Sequence, residues 1–363
     1  MPALEPRALT TALGEVQDPN LNLSLAALNI PHEVRVDGAK VFVSVTMGYP
    51  VGHDTRLAER IRAALLDVPG VDAIELTLDW QVAAHPGANS IAAIPGVKNI
   101  IAVASGKGGV GKSTTTVNLA LALAAEGARV GILDADIYGP SQPQMLGIGA
   151  RRPEIVGEGK EQQMVPIDAH GVQSISMGYL VTEQTPMVWR GPMASGALKQ
   201  LLMQTRWDDL DYLLIDMPPG TGDIALTLSQ SVPVSGAVVV TTPQDIALLD
   251  AKKGIEMFRK VSVPVLGVVE NMAVHTCSEC GHKEHIFGTG GGERIARDYD
   301  TELLGALPLS LAIRRDADSG KPSVVADAQS PESLAYIDAA RRLAARLWID
   351  GQQAGPATII ETD

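Results

Sequence analysis

The sequence contains very little cysteine and few charged residues for its length. Cys277 and Cys280 are the only cysteines in 363 residues, so a disulfide framework is excluded. A close cysteine pair in a reducing compartment is more often a metal or redox site than a structural bridge. Charged residues make up 20% of the chain and apolar residues 45%, which excludes a largely disordered protein and predicts a large core.

Signals for membranes and for nucleic acids are also missing. No run approaches 18 uninterrupted apolar residues, and the first residues, Met-Pro-Ala-Leu-Glu-Pro-Arg, lack a basic segment followed by an apolar stretch. The formal net charge is -13, and no cluster of lysine and arginine offers a surface for phosphate backbones. We therefore expect a cytoplasmic protein whose partners include neither a membrane nor a nucleic acid.

Residues 106 to 113 form a glycine-rich loop, Gly-Lys-Gly-Gly-Val-Gly-Lys-Ser. Such glycines let backbone N–H groups point at the β- and γ-phosphates of a nucleotide, Lys112 reaches the same oxygens, and the Ser113 hydroxyl can bind Mg²⁺. A buried strand over 99–105 and a helix over 113–126 are predicted on either side. The loop thus predicts a nucleotide with Mg²⁺, bound by Gly106, Lys107, Gly108, Gly109, Val110, Gly111, Lys112, Ser113 and Thr114.

Three aspartates are candidate catalytic residues at predicted strand ends. Asp216 ends a buried strand and could contact the water shell of magnesium, while the following Gly220 lets a backbone N–H approach the γ-phosphate. Asp134 and Asp136 end the strand after the first helix, and Asp136 is the better candidate for orienting an attacking water. The competing interpretations are a solvated strand-end carboxylate for Asp216 and a helix cap or turn former for the other two.

Lys107 is an extra lysine that the minimal phosphate-loop pattern does not require. Positive charge helps phosphoryl transfer most on the oxygens that become more negative, and Lys107 could supply it to its own site or across a dimer. The alternative is a solvent-exposed loop lysine.

The cysteine pair supplies only half of a usual metal site. An iron-sulfur cluster or a tetrahedral zinc generally takes four protein ligands, so two chains are needed unless nearby histidines take part. The count of two cysteines for a site of four ligands favours a homodimer. His275, His282 and His285 leave an intrachain zinc site open, although their spacing differs from that of a zinc finger.

The pattern of apolar residues predicts two domains. Residues 1–84 are expected to form a small α+β domain, with helices over 3–16 and 54–66, a hairpin around Asp37-Gly38, and a strand over 71–78. A linker over 85–97 and a flexible tail over 350–363 flank the larger domain, 98–349.

In the larger domain, apolar strands alternate with helices, which is typical of a doubly wound, mostly parallel sheet that binds ligands at the carboxyl ends of its strands. The predicted strands after the first are 129–134, 172–177, 212–216, 236–241, 264–270 and 303–308, and a final helix is predicted over 331–348.

The phosphate loop resembles that of the deviant-loop ATPases, which include MinD, ParA and the nitrogenase iron protein and whose extra lysine acts across a nucleotide-sandwich dimer. The stretch Trp207-Asp-Asp-Leu-Asp-Tyr-Leu-Leu-Ile-Asp-Met-Pro-Pro-Gly-Thr-Gly-Asp223 resembles the signature of the Mrp/ApbC branch, which also carries a Cys-x-x-Cys. The N-terminal domain is similar to the small domain of iron-sulfur assembly factors.

This resemblance implies a P-loop ATPase that carries iron-sulfur clusters. The expected protein is a homodimer that holds one bridging 4Fe-4S cluster between two cysteine pairs, binds and slowly hydrolyses ATP, and passes the cluster to apoproteins, with assembly factors as further partners. Asn271 matches the position that recognises adenine. Related N-terminal domains often carry a cysteine before a proline where this chain has Met47-Gly-Tyr-Pro50, so we expect client contacts there rather than a metal.

The alternative function is a MinD- or ParA-like dimerisation switch with a zinc-stabilised loop. Such proteins need a basic amphipathic tail for membranes or a basic face for DNA. The C-terminal Gly-Pro-Ala-Thr-Ile-Ile-Glu-Thr-Asp provides neither, so the sequence favours the carrier.

Overall fold

The structure is a computed structural model that describes residues 5–85, 87, 91–137, 139–159, 162–179, 191–277 and 279–353. The chain divides into two compact units. Unit 1 takes residues 1–83, 125–127 and 344–363, and unit 2 takes residues 84–124 and 128–343. Of these, residues 125–127 and 344–349 belong to the range that the sequence assigned to the larger domain.

Unit 1 contains a three-stranded sheet and two helices of its own, in the order α1 (Pro6–Glu15), β1 (His32–Asp37), β2 (Lys40–Met47), α2 (Thr55–Leu66) and β3 (Ala73–Trp80). Strands β1 and β2 pair antiparallel around Gly38, whose φ of 62° suits the tight turn, and β3 lies parallel to β2 after the α2 crossover. The predicted hairpin is confirmed, and β3 starts two residues later than predicted.

The segment without a thiol in unit 1 holds a buried tyrosine. The Tyr49 hydroxyl donates to Asp18 Oδ2 at 2.5 Å and accepts from Asn20 Nδ2 at 3.2 Å. Burial raises the pKa of the Asp18 carboxyl, since the ionised form loses solvation there. The ring of Tyr49 also packs 5.8 Å from that of Trp348. These contacts give the segment a structural role in unit 1.

Most of unit 2 is one large sheet covered by helices. Its described elements are β4 (Val97–Ala104), α3 (Lys112–Ala125), β5 (Val130–Asp134), α4 (Gln142–Met145), β6 (Glu154–Val156), β7 (Gln163–Val165), β8 (Ile167–Ala169), β9 (Val172–Ser176), α5 (Gly191–Gln204), β10 (Leu210–Asp216), α6 (Asp223–Ser231), β11 (Gly236–Thr241), α7 (Asp245–Lys260), β12 (Val265–Thr276), β13 (Lys283–Glu284), α8 (Gly291–Asp298), β14 (Leu303–Leu309), α9 (Leu311–Asp318), α10 (Ser323–Ala326) and α11 (Pro331–Gln353). Helices α3 and α11 end in unit 1.

The described strands of the large sheet run in the order β13-β12-β11-β4-β10-β5-β9-β8, and β14 also pairs with β12. Every pairing is parallel except β12 with β13 and β8 with β9. Central strands such as β10 are buried along their whole length, as expected for a sheet covered on both faces. The predicted α/β fold with a mostly parallel sheet is confirmed.

Two predicted boundaries differ from the structure. Ile94, in the predicted linker, is buried in the core of unit 2, while residues 86 and 88–90 of that linker lie outside the described residues. Helix α11 continues to Gln353, where a tail was predicted from residue 350, and an ion pair between Arg346 and Asp350 one turn apart stabilises this extension. Residues 354–363 of the predicted tail lie outside the described residues. Within the described chain, no helix has the length and apolar character needed to span a membrane.

Candidate functional site

The carboxyl ends of β4, β5 and β10 meet at one edge of the sheet. Asp134 and Asp216 are direct neighbours in the register of β5 and β10, and the glycine-rich loop follows β4. Parallel pairing therefore brings together the loop and both strand-end aspartates, as the sequence predicted.

The glycines of the loop are required by its backbone and by its neighbours. Gly109 and Gly111 have φ values of 80° and 82°, a region that side chains disfavour. A Cβ on Gly106 would lie 2.1 Å from the backbone of Asp250, so this glycine permits close packing against α7. Helix α3 begins at Lys112, which places its N-terminus at the loop.

Lys112 forms a buried ion pair with Asp216. Their side chains are 6% and 0% exposed, and the ammonium donates to Asp216 Oδ1. Thr116 Oγ1 donates to the same oxygen at 3.3 Å, and Lys112 Nζ lies 3.2 Å from Ser113 Oγ. The residue predicted to bind phosphates and the residue predicted to contact hydrated magnesium are thus bonded to each other in this state.

Gln142 is a component of the site that the sequence did not reveal. Its amide nitrogen Nε2 donates to Asp216 Oδ2 at 2.9 Å and to the Ser113 carbonyl at 3.0 Å. Its backbone N–H donates to Asp134 Oδ2 at 3.1 Å. Its position after Gly-Pro-Ser, at the start of α4, is the signal in the sequence that points to it.

Asp134 is buried among hydrogen-bond donors. Besides Gln142, the Ser176 hydroxyl donates to it at 3.0 Å and the backbone N–H of Asp136 at 3.2 Å. Burial, with the nearby carboxylate of Asp216 as a second cause, raises the pKa of Asp134 to about 7. These bonds place Asp134 as a support of the neighbouring loop rather than at the cavity wall.

Asp136 and Lys107 differ in exposure, since Asp136 is buried and Lys107 is more accessible. Asp136 lines the cavity described below, and its Oδ1 accepts from the Gly139 N–H at 3.2 Å. Lys107 is half-buried, and among the described residues its ammonium makes no ion pair, while its carbonyl accepts from Ser105 Oγ at 2.8 Å.

A cavity of about 780 Å³ opens at the loop, a size typical of small-molecule sites. Its polar end is formed by the loop, including Lys112, Ser113 and Thr114. Its apolar end is formed by residues from the end of β14 and from α9, which the sequence did not single out: Pro308, Leu309, Leu311 and Ile313. The available signal was the end of a predicted parallel strand followed by Ser310, which caps α9 through the N–H of Ala312.

Two groups predicted to contact the nucleotide already donate hydrogen bonds within the protein. Asn271 lines the cavity, but its Nδ2 donates to the carbonyl of Val110 at 2.8 Å and so supports the loop. The N–H of Gly220, whose φ is 89°, donates to the carbonyl of Ser105 at 2.9 Å. Contact of this N–H with a γ-phosphate therefore requires that bond to break, and both roles stay predictions.

The cysteines lie at the tip of the β12–β13 hairpin. The N–H of Cys277 donates to the carbonyl of His282, and the N–H of Gly281 donates to the carbonyl of Cys277, both at 2.9 Å. Cys280 is exposed and Cys277 is partly exposed. Backbone N–H groups of Cys280 and then Glu279 lower the pKa of the Cys277 thiol, which favours the thiolate that binds metals.

Two of the nearby histidines place one ring nitrogen against a backbone carbonyl. His275 Nδ1 lies 3.1 Å from the carbonyl of Leu309, and His285 Nδ1 lies 2.8 Å from that of Ala273. Within the part of the chain that the structure describes, no group of three or more histidine, cysteine, aspartate or glutamate side chains could hold a metal ion.

The sequence matches a family of known proteins over most of the site-bearing unit. A sequence model of the family described as NUBPL iron-transfer P-loop NTPase matches residues 96–344. The chain belongs to this family. The small domain of this P-loop NTPase matches a second family, described as iron-sulfur cluster assembly protein, over residues 6–76. The predicted resemblance to an iron-transfer ATPase branch is confirmed.

Relatives of this P-loop NTPase have informative names. This chain is 61% identical over 282 residues to an iron-sulfur cluster carrier protein of Pseudomonas fragi, and the match covers 77% of this chain and 97% of that one. A protein of the same name from Escherichia coli is 54% identical over 342 residues, covering 94% and 92%. A nucleotide-binding protein from Archaeoglobus fulgidus, solved in complex with ADP, is 36% identical with a TM-score of 0.57, covering 66% of this chain and 91% of that one.

Proposed function

We propose that this protein binds a bridging 4Fe-4S cluster and transfers it to apoproteins, with ATP binding and slow ATP hydrolysis. The observation that carries the proposal is the pair of Cys277, partly exposed, and Cys280, exposed, at the hairpin tip in the same unit as the phosphate loop. The names of its relatives support this reading, since two of them are iron-sulfur cluster carrier proteins.

A homodimer follows from the ligand count. One chain offers two thiolates, and a 4Fe-4S cluster takes four. Backbone N–H groups lower the pKa of the Cys277 thiol and so favour the thiolate, the form that binds iron. The cluster is the cargo, so it must be held by few ligands at the protein surface if it is to leave again.

Helix α7 offers an apolar surface for the second copy. Ile246 and Leu249 lie one turn apart near its start and are 70% and 60% exposed. Asp250, the next residue, packs against Gly106 at the entrance of the phosphate loop. A second chain on this surface would cover apolar area beside the loop and place its own Lys107 near the first nucleotide.

The oxygen-rich end of the cavity fits a magnesium nucleotide. The Ser113 hydroxyl and the Asp136 carboxylate line the cavity, and oxygen atoms are the ligands that magnesium prefers. Bound magnesium would neutralise charge on the phosphates. On this proposal Lys112 exchanges Asp216 for the phosphates, Asp136 orients the attacking water, and Lys107 acts on the nucleotide across the dimer.

The remaining assignments complete the proposal. Gly220 offers its N–H to the γ-phosphate, Asn271 recognises adenine, and Asp134 supports the loop that carries Asp136. The small N-terminal domain contacts client apoproteins or assembly factors, and the cytoplasm stays the predicted location. No nucleic acid or membrane is assigned as a partner.

Anaerobic reconstitution with iron and sulfide tests the proposal. We expect about four oxygen-sensitive irons per dimer, with charge-transfer absorbance, and loss of both in Cys277→Ser. The matched control is His282→Ala, which changes the same loop without removing a thiol. A second assay then follows transfer of the cluster from the reconstituted protein to an apo-ferredoxin.

Two results would overturn the carrier proposal. One is a colourless protein that holds about one zinc per chain, which would restore the zinc-stabilised switch. The other is a cluster that binds equally well in Cys277→Ser. If the cluster forms normally but never reaches the acceptor, the proposed cluster binding stands and the proposed transfer is wrong.

A further inference from the structure

Gln142 connects three parts of the nucleotide site. Through its side chain it bonds to Asp216 at the end of β10 and to Ser113 at the start of α3, and through its backbone it bonds to Asp134 at the end of β5. The residue is fully buried. Its orientation follows from its neighbours, because Asp216 Oδ2 and the Ser113 carbonyl are both acceptors and only the Nε2 end of the amide can face them.

Asp216 depends on Gln142 once Lys112 is engaged elsewhere. In this state Asp216 accepts bonds from Lys112, Thr116 and Gln142. When Lys112 binds phosphates, two donors remain, and Gln142 at 2.9 Å is nearer than Thr116 at 3.3 Å. A buried carboxylate that has lost its ammonium partner needs its remaining hydrogen bonds to keep one orientation.

The other end of the amide accepts no bond from the described chain. Gln142 Oε1 is buried and has no donor there. Buried amide oxygens without a donor are uncommon in folded proteins. This oxygen is therefore an acceptor available to a group that binds in the site.

We propose that Gln142 is the positioning residue for magnesium-dependent nucleotide binding, because it holds Asp216 and the Ser113 backbone in place after Lys112 moves to the phosphates. This inference rests on the proposed binding of ATP and Mg²⁺. Gln142 acts through Asp216 and Ser113 and does not itself contact the nucleotide. Its loss should therefore weaken the contribution of magnesium and spare the contacts of the loop with the phosphates.

Calorimetric titration of the full chain with ADP, once with Mg²⁺ and once with EDTA, tests the inference. We expect Gln142→Met to lower the affinity for ADP about tenfold in Mg²⁺ and less than about twofold in EDTA. Gln163→Met is the matched control, since Gln163 on β7 is exposed and does not line the cavity. It should leave both affinities unchanged.

A second variant separates positioning from folding. In Gln142→Glu the ionised side chain offers no donor to Asp216, whereas the protonated acid offers one. The magnesium-dependent gain in affinity should therefore recover between pH 8 and pH 6 in this variant relative to the wild type. Gln142 bonds to Asp216 and Asp134, and Lys112 pairs with Asp216, so the wild type is measured at each pH as the reference.

The outcomes distinguish this inference from the proposed function. Equal losses of affinity in Mg²⁺ and EDTA, or no loss at all, would overturn the role of Gln142. An absence of pH recovery in Gln142→Glu would do the same even if Gln142→Met fails to fold. A wild-type protein that binds no ADP in either buffer would instead overturn the proposed nucleotide site.

Discussion

Two lysines of one loop have opposite surroundings, and their substitutions should differ in effect. Removal of Lys112 leaves Asp216 buried without its ion-pair partner, whereas Lys107 has no such partner among the described residues. We expect Lys112→Ala to lower the free energy of unfolding by about 3 kcal/mol. Lys107→Ala should change it by less than about 0.5 kcal/mol. Urea denaturation of both variants checks this difference, and equal stabilities would contradict the ion pair.

The protonation of Asp134 should make stability fall as pH rises. Because folding raises the pKa of Asp134 to about 7, the folded state keeps this proton where the unfolded state has released it. The stabilising contribution is complete below the unfolded pKa and is lost as pH rises to about 7. Relative to Asp134→Asn, the wild type should lose on the order of 2 kcal/mol between pH 4.5 and pH 8.

Urea midpoints of the wild type and Asp134→Asn across this pH range provide the measurement. The exposed Glu158→Gln is the control and should follow the wild type. Parallel curves for the wild type and Asp134→Asn would show that Asp134 is ionised throughout.

Single functional residues could be predicted only where neighbouring residues in the sequence show their chemistry. The loop from Gly106 to Ser113 carries its function in eight consecutive residues, so it could be recognised without a structure. Gln142 could not, because an amide acquires its role only from Asp216 and Ser113, which are distant in sequence and meet at the edge of the sheet.

Among the secondary-structure elements, the β12–β13 hairpin determines the chemistry of the cysteines. Its N–H groups lower the pKa of Cys277, so folding should increase the reactivity of this thiol near neutral pH. In Cys280→Ser, where Cys277 is the only cysteine, the rate of alkylation by iodoacetamide should reach half its maximum at a lower pH in the folded chain than in urea. Identical pH profiles in both conditions would contradict the assigned hydrogen bonds.

Long buried strands were predictable and short edge strands were not. Strands such as β10 and β11 are buried on both faces and therefore appear as continuous apolar runs between helices. By contrast, β6, β7 and β8 are three residues each and β13 is two, which is too short for any periodicity to show. The hairpin that presents the cysteines was missed for this reason, although the cysteines themselves were identified.

At the scale of the whole molecule, the proposed dimer should depend on the apolar start of α7. Replacement of both Ile246 and Leu249 by aspartate puts charge where the second copy is expected to bury apolar area. We expect dimerisation of the reconstituted protein to weaken by about 30-fold, with a parallel loss of iron although both cysteines remain. Sedimentation velocity together with iron analysis measures both effects.

The control for this prediction lies in unit 1. Leu66 on α2 is also an exposed apolar residue, so Leu66→Asp should leave the dimer and the iron content unchanged. An unchanged dimer in the α7 variant would show that the two cysteine pairs meet through another surface.

Strand β12 sets the distance between the nucleotide cavity and the cysteine pair. His275 in β12 lines the nucleotide cavity, and Cys277 follows two positions later, just after β12 ends at Thr276. One pleat repeat of about 7 Å therefore separates the cavity wall from the proposed cluster ligand. Because the segment is extended and hydrogen-bonded, a movement of His275 would displace Cys277 as well. The number of residues between His275 and Cys277 also fixes the side of the sheet that the thiol faces. One inserted residue would turn the thiol to the opposite side. A second inserted residue would restore its side but move it along the strand by a full repeat.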